Sequence, residues 1–438
     1  MASSFHLNGE DIRFPRCQAK ILSVEVLGQH SSDIFDVVYA MYEASVEYPN
    51  VKVWNLSLGD NTSVSMSAIS DMALMLDEFQ DRNNCLCVVA AGNYNHTIRG
   101  WPVSVELDDR ISSPGDSVRS ITVGAIAHVD GLVKRHEPSH FSRRGPVSNY
   151  LQKPELVHFG GNILLHNNRQ VSLGVNSVDV SGYSAQDIGT SFATPLVSSV
   201  AANLFHHIGT NASPILVKAL LVHGANLNTI VDASKHESYF GWGVPKDSQD
   251  LLEVMDYETT IVFEGNAHKS FEVQKLPFPI PDCLRTDDGK VRGEFYITLV
   301  YQPQLDPQKV FEYCQVDLNV GLGKQEGTKF NSRVPLQTNA CEFEQTLVKS
   351  GDKFSPIKVY KKAFPRGVDV EHWKLRVSML ERDGYDASEV AVPFVIVLTI
   401  RDIDKQQPVY NQMARLMQDY NWEVADLVVD TQVEVKNG

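Results

Sequence analysis

Basic residues are scarce in this sequence. Its 39 Lys and Arg stand against 54 Asp and Glu, for a formal charge of −15. No long basic run interrupts that balance. A nucleic-acid binder needs a basic face to neutralise phosphates, so that class of partner is excluded. Long apolar runs are missing too. The longest, Val390–Ile400, is broken by Pro393 and too short to span a bilayer. The stretch MASSFHLNGEDIRFPR lacks the apolar centre of a secretory signal. The sequence therefore predicts a cytoplasmic protein with no membrane partner. Cysteine is sparse as well: six in 438 residues do not make a disulfide framework. Cys85 and Cys87 lie two apart in a strand-like run and share one face. They read as buried thiols rather than metal ligands. There is no fixed-period repeat and no low-complexity segment.

What is present divides in two, and 438 residues are too many for one small core. Residues 20–126 alternate strand-like and helix-like runs. KILSVEVL (20–27), VKVWNLSL (51–58), LCVVAA (86–91) and ITVGAI (121–126) read as strands. Between them, Ile34, Val37, Val38 and Met41 mark one helix, capped by Ser32 or Asp33. Met66, Ile69, Ala73 and Leu76 mark another. Such alternation predicts right-handed βαβ units and a parallel sheet covered on both faces. An apolar helix runs from Ser191 to about Ile208, and a second begins at Ser213-Pro214 and closes at Gly224. After about residue 257 the pattern changes to short alternating runs: TTIVFEG, GEFYITLVY, CQVDLNVGL, HWKLRVSML and PFVIVLTI. These predict an antiparallel sandwich or jelly roll over 258–438. A late helix is expected near Val409–Tyr420, and VADLVVDTQVEV as an edge strand.

Chemistry gathers where loops leave the carboxyl ends of parallel strands. NLSLG (55–59) and AAGN (90–93) sit at two such ends. Both are small and contain glycine, so another backbone can approach. Asn93 offers an amide donor, or an Asx turn. GTSFATP (189–195) places Ser191 at a helix start. There, outward N–H groups favour a developing negative charge. A cap is the competing reading.

The order of these motifs carries more than any one of them. SVEVLG, VWNLSLGD, VVAAGN, SSPGDSVRSITVGAI, HFSRRGP, KPELVHFGG, GTSFATP and GWGVPK follow one another along residues 19–250. The run resembles the subtilisin-like serine proteases (subtilases), from the middle of their catalytic domain to its end. The resemblance implies an α/β, parallel-sheet subtilisin-like domain over 1–257, followed by the β-rich domain. It implies Ser191 as nucleophile, with Asn93 and the Ser191 N–H as oxyanion donors. It makes Ser57, Leu58 and Gly59 the segment that pairs with substrate backbone. Ala90, Ala91 and Gly92 become the opposite wall of the first specificity pocket. The expected partner is a peptide or protein substrate. In KPELVHFGG, His158-Phe159 stands where the family pattern usually runs through Ala-Pro. Family members often bind calcium, but no D-x-[DN]-x-[DN]-G loop is present, and no cofactor is assigned.

The resemblance also defines what is not found. The family order is Asp, His, Ser, with the Asp in D-[ST]-G and the His in H-G-T. Neither motif occurs ahead of KILSVEVL. The absent part amounts to roughly 60 residues, two strand–helix units. His6 is followed by Leu7-Asn8 and stands too close to Ala19. His223-Gly224 reads as a helix end, with His favoured by the helix dipole and Gly at C′. His96 reads as a surface loop residue, Asp187 as a loop polar residue and Asp33 as a cap. Two functions follow as expectations. One is a serine endopeptidase, nearly inert alone, whose Asp/His segment is absent by truncation or a mis-called start, or is supplied by a separate, complementary N-terminal fragment. The other is a non-catalytic pseudoprotease that binds peptide or protein in the same groove.

Overall fold

The structure is a computed structural model. It describes residues 14–15, 17, 19–26, 33–103, 107–148, 151–167, 169–179, 181–269, 273–275, 277–309, 312–335, 348 and 353–419. His6 and VADLVVDTQVEV lie outside the described residues.

Helix α1 (Ile34–Glu47) starts at Asp33, whose carboxylate accepts from Phe35 N. It is followed by β1 (Val53–Leu56), α2 (Asp71–Asn83), β2 (Leu86–Ala90), β3 (Ile121–Ile126) and β4 (Leu156–Phe159). The four strands pair in parallel in the order β1-β2-β3-β4. Strand β2 shows why both faces are covered. Leu86 and Val88 point to one core; Cys87 and Val89 point to another, with α1 and α2. Cys85 and Cys87 share that second core and are buried at 2% and 0% exposure. Burial drives the Cys87 thiol pKa well up.

Two expected boundaries differ. Helix α2 starts at Asp71, leaving Met66 and Ile69 outside it. The chain is turned at Ser70, whose N–H and hydroxyl both donate to the buried Asp116 carboxylate (2.7 and 2.6 Å). KILSVEVL is not a strand over its described part, 20–26. Val24 and Val26 pack against the α1/α2 core. A run becomes a strand only when another edge takes its N–H and C=O groups. Among the described residues no strand lies beside this run, and β1 keeps a free edge.

Two hairpins that the sequence did not signal fill the span before GTSFATP. They are β5 (Asn162–His166) with β6 (Arg169–Leu173), and β7 (Val175–Val178) with β8 (Ser184–Asp187). Helix α3 (Thr190–Ile208) then crosses one face of the parallel sheet, and α4 (Pro214–Leu227) follows, capped by Ser213. Short α5 (Glu237–Phe240) and α6 (Ser248–Leu252) lead into the β region.

That region opens at β9 (Glu258–Ala267), followed by β10 (Val273–Lys275), β11 (Glu294–Tyr301), β12 (Val316–Glu326) and β13 (Lys329–Val334). Strands β14 (Ile357–Ala363), β15 (Trp373–Glu381) and β16 (Val392–Arg401) and helix α7 (Val409–Asp419) complete it. The antiparallel sheets β10-β15-β12-β13 and β14-β11-β16-β9 face each other as a sandwich. In β11, Phe295, Ile297, Leu299 and Tyr301 fill the sandwich core, while Val300 joins the core of α3 and α4. The second sheet is therefore buried on both faces, against its partner sheet and against α4.

Here His223 departs from the expected helix end. Helix α4 continues to Leu227, and His223 is fully buried against the sandwich. Its Nδ1 pairs with Thr298 Oγ1 (2.9 Å) and its Nε2 with Thr399 Oγ1 (2.8 Å). Gly224 lies inside the helix. The helix is extended because packing against β11 and β16 outweighs the weak helix propensity of one glycine.

A second buried anchor fixes the sheet. Glu155 takes Lys153 Nζ at 2.6 Å and the Thr122 N–H at 2.7 Å, with Lys218 Nζ at 3.8 Å. Lys218 also donates to the carbonyls of Val118, Arg119 and Ser120. Removing one member of a buried ion cluster strands the others. Glu155→Gln is expected to cost about 3–5 kcal/mol of stability. Urea unfolding followed by circular dichroism measures this; a loss under about 1 kcal/mol contradicts it.

Candidate active site

Ser191 is the second residue of α3, and it does not cap it. The N-cap is Gly189, at φ +151°, a conformation open to glycine. The Ser191 hydroxyl instead donates to the Ser57 carbonyl at the end of β1 (3.3 Å). Among the described residues that is its one hydrogen bond. Pro195 explains a second tie to the same segment. A proline four residues on has no N–H for the Ser191 carbonyl. The Ser57 hydroxyl supplies the missing donor at 3.1 Å. Ser57 in turn accepts from Asn55 Nδ2 (3.0 Å), and Asn55 Oδ1 accepts from Ser198 on α3 (2.9 Å). The end of β1 is thus stitched to the first turns of α3. The proline was the sequence signal for this; Asn55 and Ser198 had none.

Asn93 does not form an Asx turn. Its Oδ1 accepts from Thr190 N (3.0 Å) and Thr190 Oγ1 (3.2 Å), which orients the amide. Among the described residues Nδ2 is left without a partner. A Cβ placed on Gly189 would lie 3.4 Å from Asn93 Nδ2 and 3.6 Å from Ser191 N. Both donors therefore border one point in front of α3. The Ser191 N–H is among the first-turn amides that a helix leaves without an internal acceptor.

The two walls differ in character. Ser57 and Leu58 are half-buried and Gly59 is exposed. Ala90 and Ala91 are buried, at 5% and 0% exposure, so their side chains belong to the core. Gly92 is the accessible residue of that wall. Behind both walls lies Arg143, from HFSRRGP, a stretch to which the sequence assigned no role. Its guanidinium donates to the carbonyls of Asn93 (3.3 Å) and Arg110 (2.7 Å) and to Ser63 Oγ (3.2 Å). It also donates to the Asn61 carbonyl. One buried cation holds the Asn93 loop and the loop after Gly59 together.

No described histidine or carboxylate bonds Ser191. His96 is exposed and packs edge-on against Tyr94, with centroids 5.2 Å apart. His223 is under the sandwich. His158 is buried, its Nδ1 accepting from Phe159 N (2.8 Å), and burial lowers its pKa to about 3. Burial and then Arg99 lower His140 to about 4. Asp187 ends β8 and accepts from Ile188 N (2.8 Å). Among the described residues no three His, Cys, Asp or Glu side chains are grouped to hold a metal ion. No described helix is long and apolar enough to cross a membrane.

Comparison with known proteins covers the same span. The model of the subtilase family matches residues 15–243, just over half of the 438-residue chain. An uncharacterised protein of Sinorhizobium fredii, y4bN, is 28% identical over 404 residues, covering 76% of this chain and 92% of that one. Among solved structures, a protease from Pseudoalteromonas arctica is 22% identical, with a TM-score of 0.38. That match covers 53% of this chain and 62% of the solved one. The prenylagaramide maturation protease PagA is 22% identical, covering 52% of this chain and 71% of its own, with a TM-score of 0.37. The chain thus spans less than two thirds of the first of these solved proteins.

Proposed function

Because this chain belongs to the subtilase family, we propose that it forms the serine and oxyanion half of a serine endopeptidase site. Ser191 attacks the scissile carbonyl, and the oxyanion that develops lies between Asn93 Nδ2 and Ser191 N. The observation that carries this reading is that Asn93 Nδ2, unpartnered among the described residues, and Ser191 N lie 3.4 and 3.6 Å from one point beside Gly189, with Asn93 Oδ1 at 3.7 Å already taken by Thr190. Donors already aimed at a developing charge need no reorganisation during reaction. Substrate pairs through its backbone with Ser57–Gly59, and Ala90–Gly92 form the opposite wall of the first specificity pocket.

A serine hydroxyl needs a base within hydrogen-bond reach. In this reading the Asp and His come from a further polypeptide segment or chain that adds to the free edge of β1. That edge ends at Ser57, beside the Ser191 hydroxyl. Beside it, α1 turns Phe35 (62% exposed), Tyr39 (64%) and Val46 (83%) outward, and Ile21 and Leu22 are 47% and 42% exposed. A stripe of apolar residues on a helix favours a covering layer.

The test adds a segment carrying the Asp and His, joined or separate, and treats the protein with a fluorophosphonate. Labelling of Ser191 that requires the added segment is expected. Association of the two pieces without labelling contradicts the enzyme reading. It leaves the second one, a pseudoprotease that holds peptide in the same groove. That alternative draws on the Ser191 hydroxyl being bonded to a carbonyl, not to a base.

A further inference from the structure

The loop between β11 and β12 leaves the sandwich and reaches the α/β half. It closes on itself where Leu305 bridges Cys314 and Asp306 N donates to the Tyr313 carbonyl (2.9 Å). Tyr313 is 3% exposed, and its hydroxyl donates to Asp77 on α2 (3.0 Å). Burial, and then the Asp77 charge, raise the Tyr313 pKa, so the phenol stays a donor. Asp77 is itself 1% exposed. Its other donors among the described residues come from one loop of the α/β half: Ser117 Oγ (2.6 Å), Val118 N (3.1 Å) and Arg119 N (2.8 Å). The Arg119 guanidinium donates in return to the Pro303 carbonyl (2.9 Å).

That loop runs into the groove. Ser117 N donates to the Pro114 carbonyl (3.1 Å) and Gly115 N to the Ser112 carbonyl (2.8 Å), so 112–119 is one compact turn. Residues 111–113 then lie between the groove walls. On one side Ser112 N donates to the Ala91 carbonyl (3.2 Å). On the other, along the chain after Gly59, Asp60 N donates to the Ser113 carbonyl (3.2 Å) and Val64 N to the Ile111 carbonyl (2.9 Å). Ile111, Ala91 and Val64 share one core with Tyr313, Cys314 and Phe354 from the β-rich half.

We propose that the sandwich holds the peptide groove in shape, with Tyr313 as a positioning residue that acts through Asp77 on the 111–119 loop. The proposal goes beyond the endopeptidase reading, because a pseudoprotease would use the same groove. A buried carboxylate is destabilised by every donor it lacks. Loss of the Tyr313 hydroxyl therefore falls on Ser117, Val118 and Arg119, which share that carboxylate. The same short loop is hydrogen-bonded to both walls, so loosening it frees both. Coupling of this kind needs a continuous chain of packed and hydrogen-bonded groups, and Tyr313, Asp77, the turn and the walls form one. His223 gives the contrast. It joins α4 to β11 and β16, and its ring bonds reach neither wall.

Amide hydrogen exchange of the full chain tests this, read by mass spectrometry with fragmentation to single residues, because exchange reports local opening. Tyr313→Phe keeps the ring in its core and removes only the hydroxyl. It is expected to speed exchange of the Asp60, Val64 and Ser112 amides at least about tenfold. His223→Gln breaks a different contact between sandwich and helix layer, and should leave those three amides within about twofold. In an Asp77→Ala background, Tyr313→Phe should add less than about threefold, since its route to the loop is already gone. Wall amides unmoved by Tyr313→Phe overturn the inference. So does an equal effect of His223→Gln, which would make the sandwich a general stabiliser only. A full tenfold effect in the Asp77→Ala background also overturns it. Should Asp77→Ala not fold, the comparison of Tyr313→Phe with His223→Gln decides. Exchange is measured without substrate or base, so failure here leaves the endopeptidase reading standing.

Discussion

Asn93→Ala is expected to reduce cleavage at Ser191, once a base is supplied, by about 10²–10³-fold, the loss known for one such donor in subtilisin itself. The Thr190 contacts that orient the Asn93 amide are small, so the fold should tolerate the change. The loss should fall on kcat, because the donor meets its charge only in the transition state. Ser191→Ala removes the nucleophile and should abolish fluorophosphonate labelling outright. It also frees the Ser57 carbonyl, which lies partly in solvent, so its effect on stability should stay small. Steady-state kinetics on a peptide with alanine before the cleaved bond measures both variants. A fall in KM-dependent binding alone, with kcat unchanged, would remove Asn93 from the oxyanion role.

Acid should unfold this protein earlier than its carboxylates alone would dictate. His158 and His223 are buried in neutral form. Burial lowers both pKa values from 6.5 to about 3, and for His223 Lys246 and Arg401 lower it further. The unfolded chain binds protons at these histidines below about pH 6.5, while the folded chain does not. Stability therefore falls as pH drops through 6.5 towards 3. Each histidine contributes about 1.4 kcal/mol per pH unit, so the pair removes about 5 kcal/mol between pH 6.5 and 4.5. Urea midpoints across that range measure the slope. Because His140, lowered to about 4, adds to the slope over the same range, His223→Gln should reduce it by about a third, and should cost about 1–3 kcal/mol at pH 7 through imperfect pairing of Thr298 and Thr399. Unchanged midpoints between pH 6.5 and 4.5 would refute the neutral, buried assignment. Because His223 joins α4 to β11 and β16, its protonation should loosen the sandwich from the helix layer first.

Much of the architecture was legible because periodicity reports burial. The run at 86–90 is apolar throughout and that at 121–126 nearly so, as strands covered on both faces must be, while 53–56 is broken by the exposed Asn55. The runs in β11 and β16 read as strands because they are short alternating runs set off by turn residues. The paired edges were not legible. KILSVEVL has the composition of a strand, yet hydrogen-bonding partners, not composition, make one, and none lies beside its described part. The end of α2 nearest Ser70 was misread because the Asp116 carboxylate that turns the chain is 46 residues away in sequence. His223-Gly224 looked like a helix terminus because histidine and glycine favour such ends. Contact with strands from the other half of the chain reversed that preference.

By itself, the sequence determined the family, the alternation of layers, and which serine and asparagine sit at strand and helix ends. Those are local facts: small residues at a turn, apolar residues at fixed spacing, motifs in a fixed order. Tertiary structure alone decided that Ser191 is not a cap, since only the fold brings Ser57 across to meet the carbonyl that Pro195 leaves unpaired. It also decided that Arg143 ties the loop after Gly59 to the Asn93 loop. Those residues come from separate loops, and no spacing along the chain encodes the distance between them.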